Sequence, residues 1–131
     1  MTVASVLIVE DTNTMAALLQ IYLMGWAVEF RVARNGKEGL EMALQKPPDL
    51  VLTDVQMPIM DGFALCAAMR ADPALHKVPV VLLTSLTDEA SRKQGRLVGA
   101  TAFLTKPVSN KDLRAQVAQL LHLDPERGLP A

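Results

Sequence analysis

Apolar runs rich in β-branched residues alternate with stretches of helical periodicity five times along the chain. The continuous runs at 6–9, 50–53 and 80–83 are typical of strands that are covered on both faces. The run at 27–33 instead alternates apolar and charged positions, which indicates a half-exposed or edge strand. A short fifth strand is predicted at 101–104.

Helical patterns fill the intervals between these strands. They are predicted at 13–24 and 37–45, from after Asp61 to Asp72, from about 87–89 onward, and from 109–112 onward. Asp61 and Ser109 are good helix N-caps because their side-chain oxygens can accept a hydrogen bond from the first turn. Strands that alternate with helices of this length predict right-handed βαβ units, and therefore an α/β fold with a doubly wound (βα)5 parallel sheet.

Composition restricts the class of protein further. The 131 residues suit one domain, and the net charge of −1 gives no basic surface for nucleic acid. The single cysteine, Cys66, excludes an internal disulfide and a cysteine-based zinc site, and its flanks predict a buried helix. No apolar run is long enough to span a membrane and no secretory signal is evident, so we expect a soluble, cytoplasmic protein. We expect a domain at 1–122, with 123–131 as a tail or the start of a linker.

Chemically active residues follow the predicted strands. The strand ends carry Glu10, Asp11, Asp54, Thr84, Ser85 and Lys106, and Pro107 comes next. Because ligands of such sheets bind at the carboxyl ends of the strands, these side chains are expected to meet. Clustered carboxylates repel each other, so a cation is required, and Mg²⁺ binds carboxylates while accepting phosphate oxygens.

The segment 52–62, Leu-Thr-Asp-Val-Gln-Met-Pro-Ile-Met-Asp-Gly, is similar to the phosphoacceptor segment of response-regulator receiver domains. The spacing continues the match, since Thr84 lies 30 residues after Asp54 and Lys106 lies 22 after Thr84. The resemblance runs from Val6 to about Leu121. It implies the flavodoxin-like strand order 2-1-3-4-5 of single-domain chemotaxis receivers.

The resemblance also implies a role for each site residue. Asp54 would accept a phosphoryl group from the phosphohistidine of a histidine kinase or phosphotransfer protein, in two-component signalling. Mg²⁺ would be held by Glu10, Asp11, Asp54 and the main-chain carbonyl of Gln56. Thr84 and Lys106 would contact the phosphoryl oxygens. The protein would act as a switch that promotes only its own phosphorylation and dephosphorylation, and is not otherwise expected to be an enzyme.

Further positions are assigned in the same way. Phe103 would be an aromatic switch residue that follows Thr84 inward, although it also suits a plain core aromatic. Pro107 would follow a cis peptide bond. Gln56 and Leu86 lie where the family tunes hydrolysis, and without a carboxylate base they suggest a long-lived phosphorylated state.

The first helix is apolar on nearly all sides. Its sheet-facing side is expected to comprise Met15, Leu18, Leu19, Tyr22 and Leu23. That leaves a second apolar set without an obvious core, namely Ala16, Ala17, Ile21, Met24 and the nearby Trp26. We interpret this set as a docking face for the phosphodonor, the alternative being an Ala-rich helix partly covered by Trp26. A downstream target or a like receiver would use the fourth helix, fifth strand and fifth helix, without direct contact to nucleic acid or membrane.

Three rival functions are conceivable for such a fold. A flavin-binding module would need a phosphate-binding loop after the first strand, where Glu10 and Asp11 instead repel phosphate. A phosphatase resembling the haloacid dehalogenase group would carry a second acidic residue two positions after the nucleophile, where this chain has Gln56. An unphosphorylated receiver that serves as an interaction scaffold stays open. The isolated His76 and His122 have no metal-ligand spacing and are expected to face solvent.

Overall fold

Five strands and five helices alternate along residues 3–85 and 87–131, the part of the chain that the computed structural model describes. The strands are β1 (Ala4–Val9), β2 (Val28–Ala33), β3 (Leu50–Asp54), β4 (Val80–Thr84) and β5 (Ala102–Thr105). The helices are α1 (Asn13–Tyr22), α2 (Gly36–Gln45), α3 (Gly62–Arg70), α4 (Glu89–Leu97) and α5 (Asn110–Leu121). Each predicted element is present, with bounds that differ by a few residues.

The strands form one parallel sheet in the order β2-β1-β3-β4-β5, which confirms the predicted flavodoxin-like α/β fold. The continuous apolar runs occupy β1, β3 and β4 in the centre of the sheet, where both faces are covered. The alternating run forms the edge strand β2, as its polar positions predicted. Register pairs Val6 of β1 with Leu50 of β3, and Thr84 of β4 with Thr105 of β5.

The sheet separates two apolar cores because successive side chains of a strand point to opposite faces. Val6 and Ile8 of β1 enter the core that α1 and α5 cover. Leu7 and Val9 enter the core on the other face, against α2 and α3. Cys66 is buried in this second core, where burial raises the pKa of its thiol and its Sγ lies 3.3 Å from the carbonyl oxygen of Val98. It is the core residue that its flanks predicted.

Side-chain caps fix where four of the helices begin. Asn35, Asp61, Asp88 and Ser109 each accept a hydrogen bond from a first-turn backbone N–H. Thr12, the N-cap of α1, makes no such bond; its hydroxyl lies 3.2 Å from Glu10 Oε1 instead. The start of α1 is therefore tied to an acidic residue at the end of β1.

The docking set predicted on the first helix is only partly exposed. Ile21 and Met24 are 56% and 70% exposed, as expected, and Ala17 is also exposed. Ala16 and Trp26, however, are buried in the core beneath α1 and α5. Their assignment to an uncovered face was wrong, because Ala16 lies on the same buried face of α1 as Leu19 and a distant segment covers Trp26.

That distant segment is the end of the chain, residues 123–131. Leu123 enters the core, and the carbonyl oxygen of Gly128 accepts a hydrogen bond of 2.8 Å from the N–H of Ala27. Gly128 lies directly against the Trp26 indole, at a spot where a Cβ would overlap the ring. The segment predicted as a tail or linker start thus packs onto the domain, and the boundary at 122/123 stays a prediction.

Arg114 of α5 also packs against Trp26. Its Nε donates a 2.7 Å hydrogen bond to the carbonyl oxygen of Tyr22, at the end of α1, and its guanidinium lies 5.7 Å from the centre of the Trp26 ring.

The two predicted solvent-facing histidines, His76 and His122, are exposed. Among the described residues, no helix has the length and apolar character needed to cross a membrane.

Candidate functional site

Three carboxylates meet at the carboxyl end of the sheet. Glu10 and Asp11 follow β1, and Asp54 ends the neighbouring strand β3, so the parallel pairing of these strands places them side by side. One oxygen from each lies within 4.8 Å of the others. Glu10 and Asp54 are 3% and 5% exposed, whereas Asp11 is open to solvent. The predicted meeting of strand ends is therefore observed for the acidic residues.

Lys106 supplies a positive charge to this cluster. It follows β5, and its ammonium forms an ion pair with Asp54 Oδ1 and lies 3.9 Å from Glu10 Oε2. The Lys106 N–H also donates a 2.9 Å hydrogen bond to the carbonyl oxygen of Thr84, which fixes the lysine backbone beside β4. The peptide bond between Lys106 and Pro107 is cis.

Glu10 is the carboxylate of the cluster whose pKa is raised. Burial, followed by the negative charge of Asp54, raises the pKa of Glu10 from its ordinary 4.5 to about 7, against the opposing effects of the Thr12 N–H and Lys106. Its Oε1 accepts hydrogen bonds of 3.2 Å from the backbone and hydroxyl of Thr12. Its Oε2 is buried and has no hydrogen-bond partner among the described residues. The cluster thus lacks positive charge, and its hard oxygen donors fit a divalent cation such as Mg²⁺.

Two of the other predicted site residues, Thr84 and Gln56, lie at or just beyond the carboxyl ends of β4 and β3. Thr84 ends β4 and is 4% exposed. Gln56 is exposed two residues after Asp54. Leu86, which the resemblance linked to hydrolysis, lies outside the described residues. The roles assigned to these three side chains stay predictions.

Two local contacts of the site were not predicted. Thr12 was not identified as the partner of Glu10, although a hydroxyl two residues after a buried acid is a usable signal for such a bond. The second unpredicted contact is made by Gly62, which follows the helix cap Asp61. A Cβ on Gly62 would overlap the carbonyl oxygen of Asp54, so the close return of the loop after β3 requires glycine there.

Phe103 lies in β5 under helix α4 and is half-buried against the second core. Its ring occupies the space where a side chain on Gly95 would lie, and the Arg92 guanidinium is 5.3 Å from its centre. Its packing suits a core aromatic, and it also places the ring where a shift of α4 would affect it. The two interpretations remain compatible.

Comparison with known proteins identifies the family. The model of the response regulator receiver domain matches residues 6–118. The chain is 40% identical over 117 residues, 89% of its length and 26% of the relative's, to the response regulator PleD of Caulobacter vibrioides. It spans about a quarter of PleD and about half of several other curated relatives.

Solved structures show the same architecture. The chemotaxis response regulator CheY4 of Vibrio cholerae superposes with a TM-score of 0.85 at 30% identity, covering 91% of this chain and 99% of that one. The receiver domain of a sensor histidine kinase from Pseudomonas aeruginosa, described with a magnesium ion coordinated in its active-site cleft, shares the fold with a TM-score of 0.83 at 21% identity, covering 92% and 98%. From the family match over most of its length, together with its strand order and the acidic cluster at the strand ends, this chain belongs to the response regulator receiver domain family.

Proposed function

We propose that this chain is a phosphoacceptor of two-component signalling in the cytoplasm, which receives a phosphoryl group on Asp54 with Mg²⁺ and changes conformation to control a partner. The observation that carries the proposal is the pairing of a nearly buried Asp54 with Lys106, beside two further carboxylates. A carboxylate that is merely structural needs no such cluster, because one cation alone would satisfy it.

The proposed reaction is a phosphoryl transfer from nitrogen to oxygen. A carboxylate oxygen of Asp54 attacks phosphorus, the P–N bond of the donor phosphohistidine breaks, and its electron pair stays on the imidazole nitrogen. The product on this chain is an aspartyl phosphate. In this proposal Lys106, which forms an ion pair with Asp54, would neutralise charge on the transferred oxygens, and the Thr84 hydroxyl would contact a second oxygen.

Mg²⁺ fits the donor atoms that surround Asp54. We assign it to Glu10, Asp11 and Asp54, with the Gln56 carbonyl as the fourth protein ligand. Bound there, the ion would neutralise the carboxylates and coordinate a phosphoryl oxygen. The buried Oε2 of Glu10 supports this assignment, because it accepts no hydrogen bond from the described residues and has only the Lys106 ammonium, 3.9 Å away, as a counter-charge. A ligand for that oxygen would reduce its desolvation cost.

The proposed conformational change passes through Thr84 and Phe103 to helix α4. Thr84 ends the strand that pairs with β5, and the Phe103 ring on β5 touches the α4 backbone at Gly95. The proposed coupling is that a shift of Thr84 toward a phosphoryl group alters the space that the ring fills. A downstream protein or a second receiver would detect this change at the α4–β5–α5 surface.

The exposed residues of α1 and its C-terminal turn are the proposed docking face for a histidine kinase or phosphotransfer protein. Ile21 and Met24 are large, apolar and mostly exposed. Alanine at both positions is expected to lower phosphoryl transfer from a protein donor. An unchanged transfer rate in the double variant would refute docking at this face.

Intact-mass spectrometry tests the central proposal. The chain is incubated with phosphoramidate, with and without Mg²⁺, beside Asp54→Ala and a control, Asp112→Ala, that removes an exposed carboxylate of α5. We expect a single Mg²⁺-dependent phosphoryl adduct that is lost only in Asp54→Ala. An adduct that persists in Asp54→Ala would place the acceptor elsewhere. Absence of any adduct would favour the interaction scaffold instead.

A further inference from the structure

Thr12 is a helix N-cap whose side chain does not cap its own helix. A threonine in this position usually accepts a hydrogen bond from a backbone N–H of the first turn. Thr12 has the extended backbone of an N-cap but makes no such side-chain bond. The N-caps of the other four helices do make it, namely Asn35, Asp61, Asp88 and Ser109. Helix α1 therefore forgoes a stabilising bond, and the Thr12 hydroxyl is engaged elsewhere.

The hydroxyl of Thr12 donates to Glu10 instead. The hydroxyl and the backbone N–H of Thr12 each lie 3.2 Å from Glu10 Oε1, so two donors of one residue converge on one carboxylate oxygen. Glutamate has one more rotatable bond than aspartate, and its carboxylate keeps a single orientation only where neighbouring groups restrain it. The two hydrogen bonds from Thr12 supply this restraint.

The restraint gives the two oxygens of Glu10 different surroundings. Oε1 is engaged by Thr12, whereas Oε2 is buried and accepts no hydrogen bond from the described residues. Oε2 lies 3.9 Å from the ammonium of Lys106, which also pairs with Asp54. The Glu10 side chain is 1% exposed, so it has little room to turn away. Glu10 thus presents one oxygen to the acidic cluster and keeps the other for Thr12.

A carboxylate that offers one oxygen suits some cations better than others. Mg²⁺ is small, requires nearly octahedral geometry and binds only one or two carboxylates closely. Ca²⁺ is larger, takes six to eight oxygens and accepts carboxylates through both oxygens. Coordination of both Glu10 oxygens would compete with the two hydrogen bonds from Thr12 for Oε1. The contact therefore favours Mg²⁺ over Ca²⁺.

We propose that Thr12 is a positioning residue of the metal site, which holds Oε1 of Glu10 so that Oε2 alone binds the cation and Mg²⁺ is selected over Ca²⁺. This inference rests on the proposed function, because it requires that Glu10 be a metal ligand. Groups that hold a ligand by hydrogen bonds typically affect metal affinity about tenfold or more, although they do not touch the ion.

The test measures the binding of Mg²⁺ alone and of Ca²⁺ alone by isothermal titration calorimetry. Thr12→Val removes the hydroxyl and keeps the shape of the side chain, and Thr12→Ser keeps the hydroxyl. Thr12 is exposed, so valine there disturbs little packing. Thr14→Val is the matched control, because Thr14 is another exposed threonine in the first turn of α1.

We expect Thr12→Val to raise the Kd for Mg²⁺ about tenfold and the Kd for Ca²⁺ less than about threefold. Thr12→Ser and Thr14→Val should keep both constants within about twofold of the unaltered chain. Unchanged Mg²⁺ affinity in Thr12→Val would overturn the proposal, as would a loss in Thr12→Ser equal to that in Thr12→Val. Equal weakening for both ions would indicate general support of the site and would also overturn it. A lack of Mg²⁺ binding by the unaltered chain would instead count against the metal site of the proposed function.

Discussion

The ammonium group of Lys106 forms an ion pair with Asp54 while lying 3.9 Å from the second buried carboxylate, that of Glu10. One cation thus faces two acids whose side chains are 7% and 1% exposed. Their mutual repulsion is strong where water is excluded, and Lys106 offsets only part of it. Together with burial, which is the larger cause, this repulsion raises the pKa of Glu10.

Removal of the Lys106 charge is expected to have opposite effects on metal binding and on phosphorylation. In Lys106→Met, the carboxylates lose a competing cation, so Mg²⁺ affinity measured by isothermal titration calorimetry should rise at least several-fold, on the order of 1 kcal/mol. The rate of labelling by phosphoramidate should fall on the order of 10²-fold, because a preplaced charge is missing in the transition state. Lys111→Met, which removes an exposed lysine of α5, should change neither. Weaker Mg²⁺ binding in Lys106→Met would contradict this account.

The raised pKa of Glu10 predicts a pH-dependent stability of the metal-free protein. With a pKa of about 7 when folded and 4.5 ordinarily, the folded state holds an extra proton between these values. The free energy of unfolding should therefore fall as pH rises from about 4.5 to about 7, by an amount on the order of a few kcal/mol. Urea unfolding at several pH values in this range, with a chelator present, measures how steeply the free energy of unfolding changes with pH.

Glu10→Gln is the control for this pH dependence, because it removes the titrating group and keeps the shape of the side chain. The difference in slope between the two proteins isolates Glu10 from other acids. Equal slopes would show that Glu10 does not titrate in this window.

The contact between Gly95 and Phe103 predicts an unusual response to alanine in a helix. Gly95→Ala would ordinarily stabilise a helix by about 1 kcal/mol. Here the added Cβ meets the Phe103 ring, so we expect destabilisation of about 1–3 kcal/mol in chemical denaturation. Phe103→Leu combined with Gly95→Ala should recover part of this loss. Stabilisation by Gly95→Ala alone would mean that the ring moves aside freely.

The contribution of residues 123–131 can be measured through the fluorescence of the single tryptophan, Trp26. Deletion of 124–131 removes the Gly128 contact from Trp26 and the acceptor for the Ala27 N–H. We expect a red-shifted fluorescence maximum and a loss of about 1–3 kcal/mol in the free energy of unfolding. Arg127→Ala, in an exposed position of the same segment, should leave both unchanged. An unshifted maximum would show that Trp26 stays buried without the segment.

The sequence by itself determined the elements and the composition of the candidate site. Continuous and alternating apolar runs distinguish central strands from the edge strand β2, because burial on two faces excludes polar residues. Glu10, Asp54 and Lys106 can be grouped from their positions in the chain alone, since parallel strands collect their carboxyl ends at one edge of the sheet. Local spacing is sufficient for such predictions.

The tertiary structure decided what covers Trp26 and what surrounds Glu10. Trp26 was expected to be uncovered, yet Arg114 and Gly128, some ninety and a hundred residues away in sequence, pack against its ring. The raised pKa of Glu10 likewise depends on its burial and on the charge of Asp54, a residue of another strand. Periodicity describes one face of one element, whereas burial and electric field are set by segments that meet only when the chain has folded.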